Sequence, residues 1–310
     1  MSQRKILVAL STFGEYGEKP IRLLEESGFF YLINPLKKRL VKEEIIAMGK
    51  DCEGIIAGVE PYDEDALNHL SKLRCISRCG VGIENIALQK AREMGITVLN
   101  TPDVVVQPVV ELTIAMIFDL LRKISYHTAL MKVRRWEKKA GHLLMGRKIG
   151  IIGLGRIGKR VAEVLKIFGA HVSGYDPFPD KQWANTNGIE IFSCEQIIRE
   201  SDILSLHLSV IPGSPFRLGE QEIQSMKKGA MIVNVARGEF IDEDALYTAL
   251  RDGHLAGAAL DVFPEEPYRG KLCELDNVVL TPHCATLTEE SRLQMEVEST
   301  ANLIEFLKKL

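Results

Sequence analysis

Ile149-Gly-Ile-Ile-Gly153-Leu-Gly155-Arg156-Ile157-Gly158, followed by Tyr175-Asp176, decides how this chain is read. It has the form of an apolar strand, a tight glycine turn, a helix start, and a second strand that ends in an acid. Gly153 permits the turn, Gly155 lets the backbone approach a pyrophosphate, and Gly158 lets the helix pack closely on the strand. The free N–H groups at the helix start favour an anion, assisted by the helix dipole. Asp176 stands where a carboxylate accepts hydrogen bonds from an adenosine ribose and repels a 2′-phosphate. The stretch therefore predicts dinucleotide binding, with NAD preferred over NADP.

The same alternation extends to both sides. Before the turn, strands are predicted at Ile6–Leu10, Phe29–Ile33, Gly54–Ala57, Cys75–Arg78 and Thr97–Leu99. Helical patterns lie between them near 19–27, 41–48, 64–70 and 86–94. From the turn onward, strands are predicted at 148–152, 170–175, 203–207, 231–235, 258–262 and 278–280, with helices near 157–168, 195–200, 220–226 and 243–251. Two such series predict an α/β chain with two doubly wound parallel sheets. One long helical segment, from Gln107 to about Trp136, joins them, and an amphipathic helix, 289–310, closes the chain. That last helix has no sheet of its own, so it is expected to return to the first domain. The second domain is then an insertion, with crossings near Asn100 and Ala285 and a cleft between the domains.

The 310 residues, 46% hydrophobic and 26% charged, fit about two ordinary domains. A net charge of −3 gives no electrostatic case for nucleic acid or an anionic membrane as partner. The basic cluster 132–139 reads as a solvated helix end. The apolar stretch Val109 to Leu121 is interrupted by Glu111 and Asp119 and is too short to cross a bilayer. The six cysteines show no metal-ligand spacing, so no metal is expected. They suit a reducing, cytoplasmic setting, and the N-terminus, entering a short strand and then polar residues, does not read as a signal peptide.

Ligands of doubly wound sheets bind beyond the carboxyl ends of the strands. Arg237, Glu266 and His283 each stand just past such an end. An arginine can bind a carboxylate bidentately and polarise a neighbouring carbonyl. A histidine can move one proton near neutral pH, and an adjacent carboxylate can orient it. Singly, these residues have ordinary readings as a loop cation, a helix-start acid and a structural histidine. Together at one sheet edge, beside a dinucleotide site, they predict catalysis.

Arg237-Gly-Glu-Phe-Ile-Asp242, Leu260-Asp-Val-Phe-Pro-Glu-Glu-Pro267 and Leu280-Thr-Pro-His-Cys-Ala285 resemble the signatures of the D-isomer-specific 2-hydroxyacid dehydrogenases, in particular the phosphoglycerate dehydrogenase branch. The resemblance extends to Arg78-Cys-Gly-Val-Gly-Ile-Glu-Asn85, Asn100-Thr-Pro-Asp103 and Glu111. It implies a Rossmann nucleotide domain, residues 100–285, inserted into a flavodoxin-like substrate domain, residues 1–99 and 286–310. By the resemblance, Arg237 binds the substrate carboxylate and keto oxygen, His283 is the general acid/base, and Glu266 buttresses it. Cofactor contacts fall on Gly153, Gly155, Arg156, Ile157, Gly158, Asp176, Leu208, Val235, Ala236, Arg237, Asp261, His283 and Ala285. Substrate contacts fall on Arg78, Val81, Gly82 and, reaching across a dimer, Lys138.

The implied activity is hydride transfer between NAD(H) and a 2-hydroxy or 2-keto acid, with D-3-phosphoglycerate the first candidate. Glyoxylate and hydroxypyruvate reduction is the alternative within enzymes, and an NADH-sensing corepressor-like scaffold the alternative of another class. Ser209 stands where relatives often have proline, and Cys284-Ala285-Thr286 departs from the Ala- or Gly-rich text usual there. Gly58 stands where animal-type phosphoglycerate dehydrogenases place an arginine for the phosphate. The sequence ends after one terminal helix, so no serine-feedback domain is expected in it. A homodimer is expected around the 107–136 segment, whose Val109, Val110, Leu112, Ile114, Ala115, Ile117, Phe118, Leu120 and Leu121 leave it apolar nearly all round. The competing reading wedges that helix between the two domains.

Overall fold

The computed structural model describes residues 4–209 and 216–310, so Met1–Gln3 of the N-terminal stretch lie outside the described residues. The chain divides into two compact units, Met1–Val105 with Thr286–Leu310, and Val106–Ala285. The first change of unit thus comes at Val105, slightly later than Asn100.

The first unit is built on β1 (Lys5–Val8), β2 (Phe30–Ile33), β3 (Gly54–Ala57), β4 (Cys75–Arg78) and β5 (Thr97–Leu99). They pair in parallel in the order β2-β1-β3-β4-β5, the flavodoxin-like arrangement. Strand β3 is buried along its whole length, as a strand covered on both faces must be. The helix Lys19–Ser27 begins with Pro20 in its first turn and ends at Gly28, whose φ of 78° only glycine adopts at no steric cost. The terminal helix Glu289–Lys308 is capped by Thr288 and lies on β3 and β4. Gly54 makes that approach possible, because a Cβ there would stand 2.8 Å from Leu303 Cδ1.

The second unit holds β6 (Lys148–Ile152), β7 (His171–Tyr175), β8 (Glu190–Ile191), β9 (Ile203–Leu206), β10 (Met231–Asn234), β11 (Gly257–Leu260) and β12 (Val278–Leu280). All pairs are parallel, in the order β12-β11-β10-β9-β6-β7-β8. The order reverses between β6 and β9, which is the switch point of a Rossmann sheet. Strand β8 and the helix Lys181–Asn187 have no counterpart in the sequence-based expectation. A two-residue edge strand is too short for periodicity to register, but the helix had legible ends. Asp180 Oδ1 accepts the Trp183 N–H at 3.0 Å, and Gly188 closes the last turn with φ 59°.

The single helix expected from Gln107 to Trp136 is two helices, Val106–Arg122 and Ile124–Lys132. Lys123 separates them with φ 56°, a left-handed conformation that continues no α-helix. Residues beyond 132 leave the helix altogether. The apolar side of the first helix is covered within its own unit, where Val110, Met116, Ile117 and Leu121 join the core under β6, β10 and β11. Its composition therefore reflects burial against a sheet, and a partner is not needed to explain it.

Gly158 is the tightest point of the second unit. A Cβ there would lie 1.9 Å from Gly153 O. Gly158→Ala should lower the unfolding free energy by roughly 1–3 kcal/mol or more, the usual cost of overpacking a rigid contact. Urea unfolding of the two proteins measures it, and an unchanged midpoint would refute the close packing.

Candidate functional site

At the carboxyl end of β6 the three glycines have separate steric duties. Gly153 adopts φ 98°, and a side chain there would strike the His207 carbonyl carbon at 2.6 Å. Gly155 begins the helix Arg156–Ile167, and nothing lies within 4 Å of where its Cβ would be. That open space, at the N-terminus of a twelve-residue helix with no side-chain cap, suits a dinucleotide pyrophosphate. Asp176 stands past the end of β7, where its carboxylate accepts the Leu154 N–H at 2.8 Å and the Phe178 N–H at 2.8 Å. It is thereby tied to the glycine turn itself. His207 stands past β9, next to Leu208. Burial pushes its imidazole down to about 3, so it stays neutral, with Nε2 2.8 Å from Ser205 Oγ.

Strands β10, β11 and β12 are neighbours, and Arg237, Glu266 and His283 follow their carboxyl ends. Asn234, the last residue of β10, is buried and holds the turn. Its Nδ2 donates to Arg237 O at 2.8 Å, and its Oδ1 accepts the Ala236 N–H at 3.0 Å. Arg237 Nη1 donates to Ala236 O at 2.7 Å. Gly238 allows the next turn to pass so close to Phe263 that a Cβ would stand 2.0 Å from its carbonyl carbon. The loop after β11 is closed by the rings of Phe263 and Tyr268, stacked at 4.1 Å. Glu266 lies in that loop, with Oε1 accepting the Phe263 N–H at 3.1 Å and Oε2 lying 2.8 Å from His283 Nδ1. The pair is exposed, and the Nδ1 contact leaves His283 Nε2 as the nitrogen that can serve a substrate.

Asp261 does more in the fold than its sequence position suggests. It is fully buried at the end of β11. Its Oδ1 accepts from Thr281 Oγ1 at 2.5 Å and Cys284 N at 2.8 Å, and its Oδ2 accepts from Ala285 N at 2.9 Å. These bonds straddle His283, which itself adopts φ 52°. The sequence-based assignment of Asp261 to cofactor contact missed this loop-holding duty, as it missed Asn234. The available signal was the same for both: a polar residue at the end of an otherwise apolar strand.

In the first unit, Arg78 ends β4 and its guanidinium folds over Gly80, where a Cβ would meet Nη1 at 2.6 Å. Burial pushes this guanidinium below its usual value. The turn Gly80–Gly82 is fixed by Gly80 N donating to Thr101 Oγ1 at 2.9 Å and by Asn100 Nδ2 donating to Val81 O at 3.0 Å. Val81 is exposed. Lys138, in the second unit, is exposed in the coil after the helix Ile124–Lys132. Among the described residues no cluster of His, Cys, Asp and Glu could hold a metal ion, and no helix is long and apolar enough to cross a membrane.

Comparison with known proteins agrees with this geometry. Residues 114–285 match the D-isomer specific 2-hydroxyacid dehydrogenase, NAD binding domain. The chain is 39% identical over 281 residues to D-3-phosphoglycerate dehydrogenase of Methanocaldococcus jannaschii, covering 89% of this chain and 53% of that protein. It is 35% identical to glyoxylate reductase of Korarchaeum cryptofilum, covering 86% of this chain and 82% of that protein. The chain thus spans about half the length of the phosphoglycerate dehydrogenase relatives it matches. Among solved structures, D-lactate dehydrogenase of Aquifex aeolicus, complexed with NAD and lactic acid, superposes with a TM-score of 0.86 at 27% identity, over 99% of this chain and 96% of that one. With its Rossmann glycine turn and the Arg237, Glu266 and His283 edge inside the matched span, the chain belongs to the D-isomer-specific 2-hydroxyacid dehydrogenase family.

Proposed function

We propose that this chain is an NAD-dependent oxidoreductase that interconverts a D-2-hydroxy acid and its 2-keto acid. The observation that carries the reading is the 2.8 Å contact of His283 Nδ1 with Glu266 at the strand edge that also bears Arg237. In reduction, Arg237 binds the substrate carboxylate and polarises the keto oxygen. His283 donates a proton from Nε2 to the forming alkoxide, while Glu266 orients the ring and stabilises its cationic form. When bound, the nicotinamide supplies hydride to C2, or accepts it in the reverse direction. Gly153, Gly155, Arg156, Ile157 and Gly158 would hold the pyrophosphate side of the cofactor, Asp176 the ribose, and Leu208, Val235, Ala236 and Ala285 the remainder. Asp261 would act through the loop that carries His283.

Two substrate readings have separate support. The identity to phosphoglycerate dehydrogenases, with Arg78 and Lys138 as cations, favours D-3-phosphoglycerate and 3-phosphohydroxypyruvate. The glyoxylate reductase likeness, with Gly58 in place of an arginine, favours glyoxylate or hydroxypyruvate. In either reading the backbone of Val81 and Gly82 is a substrate contact. The six cysteines, all free thiols, support a cytoplasmic setting.

We also infer that the chain forms a homodimer, through the segment 124–145 rather than the helix before it. Ile124, Met131, Val133, Trp136, Leu143 and Met145 are all exposed there, and a depression lined by Phe118, Ile124 and Met131 lies beside them. Apolar side chains gathered this densely mark an association surface.

NADH absorbance with a panel of 2-keto acids tests the activity. His283→Ala should lower kcat by on the order of 10²–10⁴, and Arg237→Ala should damage both KM and kcat. Tight NADH binding with no turnover of any acid would instead support the scaffold. Wild type should prefer NAD over NADP by on the order of 10², because a 2′-phosphate meets the Asp176 carboxylate, and Asp176→Ala should shrink that ratio. Equal efficiencies with both cofactors would sink the ribose assignment. Light scattering at micromolar concentration should report a two-chain mass, which Trp136→Glu should lower. A one-chain mass for wild type would refute the dimer.

A further inference from the structure

Glu60 is a buried acid that the proposed mechanism does not use. It follows β3 and is 3% exposed. Its Oε2 accepts the Gly58 N–H at 2.7 Å, and a Cβ on Gly58 would lie 2.9 Å from its Oε1. The carboxylate therefore fills the space in which a side chain at position 58 would begin. Asn85 locks the segment, with Nδ2 donating to Gly58 O at 3.2 Å and to Glu60 O at 2.6 Å.

The neighbouring strand end holds the opposite charge in a matching way. Ala57 is the register partner of Arg78, and Cys79 N donates to Ala57 O at 2.9 Å. Glu60 thus lies over a glycine at the end of β3, and Arg78 over a glycine at the end of β4. Burial pushes the Glu60 carboxyl up and the Arg78 guanidinium down, and the attraction between the two opposes both shifts. Arg78 Nε, buried, makes no hydrogen bond among the described residues, and the buried Tyr62 phenol lies against the Glu60 carboxyl. Arg78 Nη1 donates to backbone, at Cys79 O. Of the carboxylates acting on this arginine, Glu60 has the larger effect and Glu84 the smaller, with Arg292 adding a like charge, while Arg39 is turned to Val59 O on the exposed side.

We propose that Glu60 is a positioning residue that sets substrate charge: by offsetting Arg78, it makes this sheet edge favour a 2-keto acid whose third carbon carries hydrogen or a neutral hydroxyl over one that carries a phosphate. The inference rests on the dehydrogenase reading above and on Arg78 as its substrate-side cation. A phosphate dianion needs uncompensated positive charge, and a carboxylate fixed at the neighbouring strand end reduces it. A neutral hydroxyl needs only the guanidinium's hydrogen-bond donors, which a carboxylate not bonded to them leaves in place.

Steady-state kinetics with NADH, hydroxypyruvate and 3-phosphohydroxypyruvate test it. Wild type should favour hydroxypyruvate in kcat/KM by about tenfold or more. Glu60→Gln, which keeps an oxygen for the Gly58 N–H, should lower KM for the phosphorylated acid by about tenfold and leave kcat on hydroxypyruvate within about threefold. A merely structural Glu60 would change both substrates alike. Wild-type preference for the phosphorylated acid overturns the proposal by itself, whether or not the variant folds. A folded Glu60→Gln with an unmoved substrate ratio overturns it too. Turnover of neither acid, nor of glyoxylate, overturns the dehydrogenase reading along with it.

Discussion

Parallel pairing brings the carboxyl ends of all the strands in a sheet to one edge, and both units of this chain are parallel throughout. Each connection must then cross back over a face of the sheet, so the loops at the carboxyl edge are free to carry polar side chains. In the second unit that edge gathers the glycine turn, Asp176, His207, Arg237, Glu266 and His283 from six different strands. In the first unit it gathers Glu60, Arg78 and the turn Gly80–Gly82. The chemistry of the molecule follows from this one constraint, because the residues concerned are far apart in the chain.

Free loops would not hold their side chains still, and here the last residue of a strand, or the one after it, does so. Asn234 ties the backbone on both sides of Ala236, and Asp261 takes hydrogen bonds from three residues that flank His283. Both are buried, where unpaired polar groups are costly and satisfied ones rigidify their surroundings. His283 can therefore adopt a left-handed backbone and remain exposed beside Glu266. The stacked Phe263 and Tyr268 rings do the same for the loop that carries Glu266.

The helix Val106–Arg122 shows how composition can mislead about partners. A helix apolar on most sides reads as one awaiting a second chain, yet Val110, Met116, Ile117, Leu120 and Leu121 are covered by its own sheet and by the helix Arg156–Ile167, and Leu112, Ile114 and Phe118 are half-buried. The exposed apolar residues lie further on, in a segment where periodicity is weak because Lys123 ends the helix. Burial, which only tertiary packing decides, separates a core helix from an exposed apolar segment.

Much of this protein was legible without coordinates. Strands such as Gly54–Ala57, Cys75–Arg78, Thr97–Leu99, Lys148–Ile152 and Val278–Leu280 were read with their observed limits, because buried parallel strands are short apolar runs between turn residues. The glycine turn was legible because each glycine answers a local steric demand, and Arg237, Glu266 and His283 because each stands just past an apolar run. The grip of Asp261 on the His283 loop and the lodging of Glu60 over Gly58 were not, and the pairing of Glu266 with His283 was implied only by the family resemblance. These join residues whose proximity depends on strand order and register, and no local pattern encodes strand order. The sequence by itself determined which segments form strands and helices and which residue types stand at their ends. The tertiary structure decided which of those ends meet and which charges are buried together, because both depend on how the sheets assemble.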